Sequence, residues 1–303
     1  MGFLYLLEEI RMPGLNEFML AITTLGEETT FLVIALILFW CVDKYWGYYT
    51  LSVGFVGMIA NQFMKLWFRV PRPWVIDKNF TILEQAREAA SGYSFPSGHT
   101  QSAVGTFGSV AHITKNKKIR TIAIVLAVMV AFSRMYIGVH TPLDVIVSVA
   151  LALILIIILK PVVFNDDHKW MPILFLAMFL LAIGFLCFVK FFPFPADMDL
   201  HNYESGLQNA YTLFGSLIGL LIVYIVDKKW LNFSTSAVWW AQFLKVGIGL
   251  GLVLLVKTGT KELLNQLLGE QIGRASRYCL IVLVAGILWP LSFKWFSKLG
   301  NKE

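Results

Sequence analysis

The stretch IVSVALALILIIIL, residues 146–159, contains no charged side chain and is almost entirely aliphatic. A second uncharged block covers residues 247–256. Such blocks recur along the 303 residues, of which 57% are hydrophobic and 15% charged, and the mean hydropathy is +0.70. A soluble domain of this length needs more charge to cover its surface, so the sequence predicts a chain embedded in a membrane.

Membrane-spanning helices account for most of this chain. A helix needs roughly 20 apolar residues to cross a bilayer. About nine segments meet that condition, near residues 29–46, 47–68, 97–114, 120–138, 142–164, 170–192, 207–226, 238–257 and 278–296. We therefore predict an all-α, polytopic helix bundle with three parts: an amphipathic N-terminal helix region at 1–28, a core bundle at 29–165 and additional transmembrane helices at 166–303.

The basic residues lie in short clusters between the apolar blocks. The net charge is +6, and the densest clusters are at 115–120, 228–229 and 294–302. With nine spans all three fall on one side, which the bias of Lys and Arg towards cytoplasmic loops assigns to the cytoplasm. The pattern indicates an integral membrane protein, in the plasma membrane if the source is bacterial, with lipids and not nucleic acid as its surroundings.

Four other cations fall on the opposite side of this predicted topology: Lys257, Lys261, Arg274 and Arg277. One interpretation is an amphipathic surface helix that touches anionic headgroups. The other is a contact with the headgroup of a substrate.

Unusual polar residues concentrate in three segments: KLWFRVPRP at 65–73, PSGH at 96–99 and SRMYIGVHTPLD at 133–144. Cations at membrane depth are costly and tend to mark function. If Lys65, Arg72 and Arg134 converge, they form a site for a multiply charged anion such as phosphate. Ser97 and Gly98 add backbone N–H donors at a helix start, where glycine allows close approach.

Two histidines and a carboxylate complete this set. Histidine titrates near neutral pH, so one of His99 and His140 can attack phosphorus while the other protonates the leaving oxygen. Asp144 follows His140 by one helical turn if the helix begins at Pro142. From there it can orient the imidazole and stabilise its positive charge, as the carboxylate of a catalytic triad does.

The three segments resemble the signature of the type 2 phosphatidic acid phosphatase superfamily, K-x6-R-P, then P-S-G-H, then S-R-x5-H-x3-D. Every position is filled, by Lys65, Arg72, Pro73, Pro96, Ser97, Gly98, His99, Ser133, Arg134, His140 and Asp144. The resemblance covers roughly residues 47–165 and leaves the later spans unexplained.

This resemblance implies roles for the site residues. His140 is the nucleophile that forms a phosphohistidine, Asp144 orients it, and His99 is the acid and then the base. Lys65, Arg72, Arg134, Ser97 and Gly98 bind the phosphoryl oxygens. The resemblance implies no metal and no cofactor. The distribution of Lys and Arg over nine spans predicts that the active site lies on the extracytoplasmic side.

The substrate stays open between two classes. A phosphorylated lipid is the first: phosphatidic acid, phosphatidylglycerophosphate or a polyprenyl diphosphate. A soluble ester such as a sugar phosphate is the second, because glucose-6-phosphatase resembles the chain in its number of spans and its amphipathic N-terminal region. A third reading, a non-catalytic transporter or binding protein, fits less well, since the charges gather at one surface and not at the midplane. The sequence is also compatible with a homodimer.

Overall fold

The structure is a computed structural model that describes residues 1–87, 90–196 and 198–299. In the first half the helices are α1 (Gly2–Glu9), α2 (Pro13–Thr24), α3 (Glu28–Ile37), α4 (Lys44–Phe68), α5 (Pro73–Ile76), α6 (Gly98–Ile113), α7 (Lys117–Tyr136) and α8 (Pro142–Val163). In the second half they are α9 (Met171–Phe191), α10 (Leu200–Val226), α11 (Trp239–Gly259), α12 (Lys261–Leu268), α13 (Glu270–Leu283) and α14 (Phe293–Phe296). Short π-helical segments continue α3, α10 and α13. The all-α class is confirmed.

Several of these helices are long and apolar enough to cross a membrane. In the described part of the chain there are six: Lys117–Tyr136, Pro142–Val163, Met171–Phe191, Leu200–Leu231, Trp239–Gly259 and Glu270–Phe296. A seventh is counted if α2 and the segment Glu28–Val42, bent by 53° against each other, form one broken span. The polytopic architecture is thus confirmed, but the predicted number of nine spans is not.

Two of the missing spans exist as helices that are too polar or too short. The predicted spans at 47–68 and 97–114 correspond to α4 and α6, but α6 has only 16 residues. Both helices carry polar side chains that are buried inside the protein, among them Asn61 and Lys65 in α4 and Gln101 in α6. Helices that face a polar site have less apolar surface than helices that face lipid, so a hydropathy criterion misses them.

The N-terminal region also differs from the prediction. The amphipathic helix expected within residues 1–28 is not confirmed, because two helices, α1 and α2, are separated by a break before Pro13. A proline at the first helical position starts α2 without needing its missing N–H group. Both helices pack on α7, and Leu4 and Met19 are buried there or against the following loop. Residues 1–28 are therefore part of the packed bundle.

The described helices group into two compact units whose segments alternate along the chain. Unit 1 contains residues 1–32, 52–160 and 193–206, and unit 2 contains 33–51, 161–192 and the described residues from 207 onward. The predicted domain limits near 28 and 165 stay a prediction.

Glycines let the helices of unit 1 approach closely around α6. A Cβ atom at Gly57 of α4 would lie 2.4 Å from the amide nitrogen of Gln101, and one at Gly108 of α6 would lie 2.7 Å from Ile156 of α8. Small residues are the common means of close helix packing in membrane proteins. α6 also packs along α7, to which only a short connection joins it. The N-terminus of α6 is thereby held between the ends of its neighbours.

In unit 2, glycines likewise allow α10 and α13 to pack closely. Gly215 and Gly219 form a G-x-x-x-G pair whose Cβ positions would collide with the carbonyl oxygens of Ala275, at 2.0 Å, and Cys279, at 3.0 Å. Elsewhere in unit 2 the fully buried Lys245 donates to the carbonyl oxygen of Trp40 at 2.8 Å and lies 4.1 Å from the ring centroid of Phe293. These contacts satisfy its charge inside the protein.

Candidate active site

The predicted site residues all belong to unit 1 and lie at helix ends or beside them. Lys65 is in the last turn of α4, Arg72 directly precedes α5, Ser97 caps α6, Gly98 and His99 open it, Arg134 is in the last turn of α7, His140 lies between α7 and α8, and Asp144 is in the first turn of α8. Six of these side chains are at most 6% exposed: Lys65, Arg72, Ser97, Arg134, His140 and Asp144. Residues that are far apart in the sequence therefore lie together in one buried, charged cluster.

A tight turn between α7 and α8 presents His140. Gly138 has φ +87°, a left-handed conformation that glycine adopts without strain. The amides of Val139 and His140 then donate to the carbonyl oxygen of Arg134, at 3.2 and 3.3 Å. The histidine and the arginine of the third segment are therefore coupled through their own backbone.

Asp144 holds one nitrogen of the His140 ring. Its Oδ2 atom lies 3.4 Å from Nδ1 of His140 and accepts from the amide of Thr141 at 2.8 Å and from the hydroxyl of Ser94 at 2.6 Å. On the other side of the ring, Nη1 of Arg72 lies 3.0 Å from Nε2 of His140. A guanidinium can only donate, so Nε2 is the acceptor and the ring proton is assigned to Nδ1, facing Asp144.

The charge around His140 favours its neutral form. Burial lowers the pKa of His140 well below its ordinary value of 6.5, and the neighbouring cations, Arg72 first, lower it further. Burial also lowers the pKa of Arg72 from 12.5 to about 10, which leaves it a cation at neutral pH. A neutral imidazole beside a permanent cation keeps the lone pair on Nε2 available.

Two of the cations donate hydrogen bonds to backbone carbonyl oxygens of one loop, residues 91–93. Arg72 donates to the carbonyl oxygens of Ser91 at 2.8 Å and Gly92 at 3.1 Å, and Lys65 donates to that of Tyr93. Phosphoryl oxygens accept hydrogen bonds from the same groups. The donors are therefore already arranged to meet several oxygen atoms at once.

Other polar atoms of the cluster have no protein partner in the described chain. They include Nε2 of His99 and Nε of Arg134, both buried. Asn61, one helical turn before Lys65, has neither amide atom bonded, and its Oδ1 lies 3.7 Å from a Cβ position at Gly98. Buried polar atoms without partners are uncommon in native proteins and point to a bound ligand.

The sequence analysis missed three contributions to this site. Thr23 of α2 accepts from Nη1 of Arg134 at 2.5 Å, and Gly26 packs so closely on α6 that a Cβ there would lie 2.9 Å from the carbonyl oxygen of His99. Ser94, two residues before Pro96, donates to Asp144. Only Ser94 had a signal, its closeness to the second motif; nothing in the sequence of the N-terminal region points to Thr23 or Gly26.

No metal site accompanies the cluster in the described residues: groups of three or more His, Cys, Asp and Glu side chains close enough to hold an ion are absent there. The expectation that the reaction needs no metal stays a prediction.

The fold and the cluster define a class of protein: a polytopic helical membrane protein with a buried, cation-rich histidine site suited to a phosphoryl group. Comparison of the sequence with known families agrees. Residues 45–167 match the PAP2 superfamily, and residues 211–302 match the transmembrane extension of PAP2 superfamily phosphatases. The chain belongs to the PAP2 superfamily, which confirms the resemblance drawn from the three motifs.

Individual relatives support the same assignment. The chain is 34% identical over 164 residues to phosphatidylglycerophosphatase B of Bacillus subtilis, which is 50% of this chain and 76% of that protein. It is 33% identical over 102 residues to the undecaprenyl-diphosphatase BcrC of the same organism, 34% of this chain and 50% of that protein. It is 28% identical over 217 residues to a probable sphingosine-1-phosphate phosphatase of Dictyostelium discoideum, 65% of this chain and 51% of that protein. No solved structure matches the chain significantly.

Proposed function

We propose that this protein hydrolyses a phosphomonoester or diphosphate of a membrane lipid through a phosphohistidine intermediate. The observation that carries the proposal is the His140 ring, with Asp144 on Nδ1 and a guanidinium 3.0 Å from Nε2. This is the tautomer that a nucleophilic histidine needs, and Arg72 marks the place where the phosphoryl group is held.

In the first step Nε2 of His140 attacks phosphorus and the bond to the leaving oxygen breaks. The imidazole becomes cationic, and Asp144 stabilises that charge through Nδ1–H. His99 enters this step as the imidazolium, a form that the negative charge of the bound phosphoryl group stabilises, and its Nε2, which has no partner among the described residues, donates its proton to the leaving oxygen and leaves His99 neutral. Lys65, Arg72 and Arg134 hold the phosphoryl oxygens as charge redistributes, which is the role a metal ion plays in other phosphatases.

In the second step His99 removes a proton from water and the resulting hydroxide attacks phosphorus. The P–N bond breaks, inorganic phosphate forms, and His140 returns to its neutral form. Before the first step, Arg72 must give up its hydrogen bond to Nε2 of His140 and donate to a phosphoryl oxygen of the substrate instead. The neutral-ring preference set by burial favours this return to the starting state.

A lipid substrate is favoured over a soluble ester because the relatives are named as lipid phosphatases: phosphatidylglycerophosphatase, undecaprenyl-diphosphatase and probable sphingosine-1-phosphate phosphatase. The motifs recognise only the phosphoryl end, so the leaving group is decided by experiment. We further propose that the site faces the extracytoplasmic side, since the basic clusters at 115–120 and 228–229 mark the cytoplasmic one.

The test is phosphate release by the purified chain in detergent with EDTA present. The panel contains phosphatidic acid, phosphatidylglycerophosphate, a polyprenyl diphosphate and glucose 6-phosphate. We expect release from at least one lipid, loss of it in His140→Ala, and normal release in His112→Ala, which replaces an exposed histidine of α6. Release from glucose 6-phosphate alone contradicts the lipid assignment.

The intermediate is tested separately with His99→Ala and a phosphorylated phenol, whose leaving oxygen needs no proton. The first step then proceeds while the second lacks its base, so an acid-labile, base-stable phosphohistidine should accumulate. Its absence from His99→Ala, or its presence in His140→Ala, contradicts the mechanism.

A further inference from the structure

A helical hairpin in unit 2 carries a buried arginine that the proposed reaction does not use. α12 runs over Lys261–Leu268 and α13 begins at Glu270. Gly269, with φ +77°, makes the sharp turn between them. The helices touch at Gly273, where a Cβ would lie 2.7 Å from the carbonyl oxygen of Leu264. Gly273 therefore marks the contact between α12 and α13.

Arg277 lies in α13, one helical turn after Gly273. Its residue is 6% exposed, and neither Nε nor Nη1 has a hydrogen-bond partner in the described part of the chain. The Cζ atom of the guanidinium lies 5.6 Å from the ring centroid of Tyr278. This cation–π contact with the aromatic ring is not a hydrogen bond to Nε or Nη1. Buried N–H donors of a cation that lack acceptors in the described part of the chain are unfavourable, so Nε and Nη1 of Arg277 are suited to an anion that the protein itself does not supply.

A second buried polar atom without a partner lies at the contact between the two helices. Oδ1 of Asn265 has no hydrogen-bond partner in the described part of the chain, and it lies 2.9 Å from the Cβ position of Gly273. Gly273 and Arg277 are one helical turn apart and so share a face of α13. An amide can turn its NH₂ group to an anion, and together the two side chains offer donors from both helices.

The other charges of the hairpin balance one another, so Arg277 provides its excess positive charge. Lys261 and Arg274 are matched by Glu262 and Glu270, and Lys257 at the end of α11 adds one further cation nearby in the sequence. Glu270 lies 3.9 Å from Arg274, on the exposed side of α13, and Glu262 is exposed on α12. Neither carboxylate accepts a hydrogen bond from Arg277.

The position of the hairpin identifies the source of the anion. It joins two candidate spans, Trp239–Gly259 and Glu270–Phe296, so it lies at the membrane surface. Arg277 is seven residues into the second span, about 10 Å along the helix axis, at the depth where lipid headgroups end. α12 exposes Leu263 (56%), Leu267 (69%) and Leu268 (45%), as a helix lying among lipids does.

We propose that the hairpin of α12 and α13 binds the phosphate group of an anionic membrane lipid through Arg277 and Asn265, as a site separate from the catalytic cluster. No residue of that cluster belongs to unit 2. The site recognises a phosphodiester that is bound and not hydrolysed, which distinguishes it from the substrate site.

The experiment uses the full chain, delipidated in detergent, and measures by native mass spectrometry how tightly phosphatidylglycerol and phosphatidylcholine are retained. We expect saturable retention of phosphatidylglycerol, at least about tenfold weaker in Arg277→Gln because a charged hydrogen-bond donor is lost. The matched control is Arg274→Gln, which removes the same charge from a partly exposed position of the same helix. It should change retention by less than about twofold, since exposed ion pairs contribute little.

Equal retention by the wild type and Arg277→Gln contradicts the proposal, and so does an equal loss in Arg274→Gln, which indicates charge alone. Inorganic phosphate at millimolar concentration distinguishes the source: displacement of the lipid by phosphate at the same concentration as by phosphatidylglycerol contradicts a lipid site. If Arg277→Gln does not fold, the wild type decides, because phosphatidylglycerol and not phosphatidylcholine should raise its melting temperature. Phosphatase activity towards a short-chain substrate, followed in parallel in both variants, should stay unchanged.

Discussion

Replacing Ser94 with alanine tests the network behind His140. The Ser94 hydroxyl donates to Oδ2 of Asp144 at 2.6 Å, and the two residues are 0% and 2% exposed. The same oxygen faces Nδ1 of His140 at 3.4 Å, so Ser94 fixes the carboxylate that orients the nucleophile. A hydrogen bond to a buried charged group contributes about 1.5–3 kcal/mol. If the transition state needs that orientation in full, kcat falls roughly ten- to hundredfold in Ser94→Ala.

The assay is steady-state phosphate release, with kcat and KM measured separately. Ser94 does not touch the phosphoryl group, so KM should change little while kcat falls. Ser94→Thr keeps a hydroxyl and should recover part of the loss. The matched control is Ser148→Ala: this serine is equally buried in α8 but donates to the backbone oxygen of Asp144, at 2.8 Å, and not to its carboxylate.

A purely structural role of Ser94 predicts a different pattern. It lowers the melting temperature and the amount of active protein without changing kcat per active site. The effect of Ser94→Ala should also disappear in Asp144→Asn, where the carboxylate is already lost. A kcat within about twofold of the wild type, or an equal loss in Ser148→Ala, refutes the reasoning.

Three further predictions concern the rest of the cluster. Arg72→Lys should lower kcat roughly 10²- to 10³-fold, because an ammonium cannot reach Nε2 of His140 and the loop carbonyl oxygens together. Gly26→Ala should reduce both stability, by about 1–3 kcal/mol, and kcat, because its Cβ would lie 2.9 Å from the carbonyl oxygen of His99; thermal unfolding and phosphate release measure the two effects. Because burial lowers the pKa of His140 below 6.5, the neutral nucleophile persists as pH falls, and the acid limb of kcat/KM, corrected for titration of the substrate, should lie below pH 6.5.

Each of these has a control or an excluding result. Arg87→Lys alters an exposed arginine of the 84–87 turn and should leave kcat unchanged. The control for Gly26→Ala is Gly14→Ala in α2. A Cβ at Gly14 meets nothing within 4 Å, so this change should be neutral or slightly stabilising. An acid limb at or above pH 6.5 means that His140 is not shifted in the free protein.

The motifs predicted a set of site residues, which lie close together in the structure, but the motifs did not predict how these residues are held. Signature spacing placed Lys65, Arg72 and His140 in one cluster, because each lies at a helix end where the chain turns. The partners of these residues come from elsewhere: backbone oxygens of 91–93 and the hydroxyl of Thr23. Backbone contacts leave no trace in residue type, and Thr23 lies far from the motifs in sequence, so neither could be read in advance.

The amphipathic pattern of the N-terminal region also does not predict which partner its apolar residues contact. Its apolar residues suggested a helix lying on the membrane, because an amphipathic pattern reports only that one face is apolar. In the structure α1 and α2 pack on α7, and Arg11 donates to the carbonyl oxygen of Tyr136 at 3.0 Å, while other apolar side chains of the region, such as Leu6 and Phe18, are exposed. A pattern cannot distinguish lipid from protein as the partner of an apolar face.

The polar residues of α4 bear on both the number of spans, which is not confirmed, and the predicted site, which stays a prediction. Asn61 and Lys65 are buried polar side chains in a helix that the sequence analysis counted as a span. Those residues lower the mean hydropathy of the helix, and Lys65 is also part of the first motif. They are tolerated because they face the interior of unit 1, where charges and backbone oxygens compensate the cost of burial. In this chain, therefore, Lys65 is both one of the buried polar residues that lower the hydropathy of α4 and one of the residues that the motifs predict for the site.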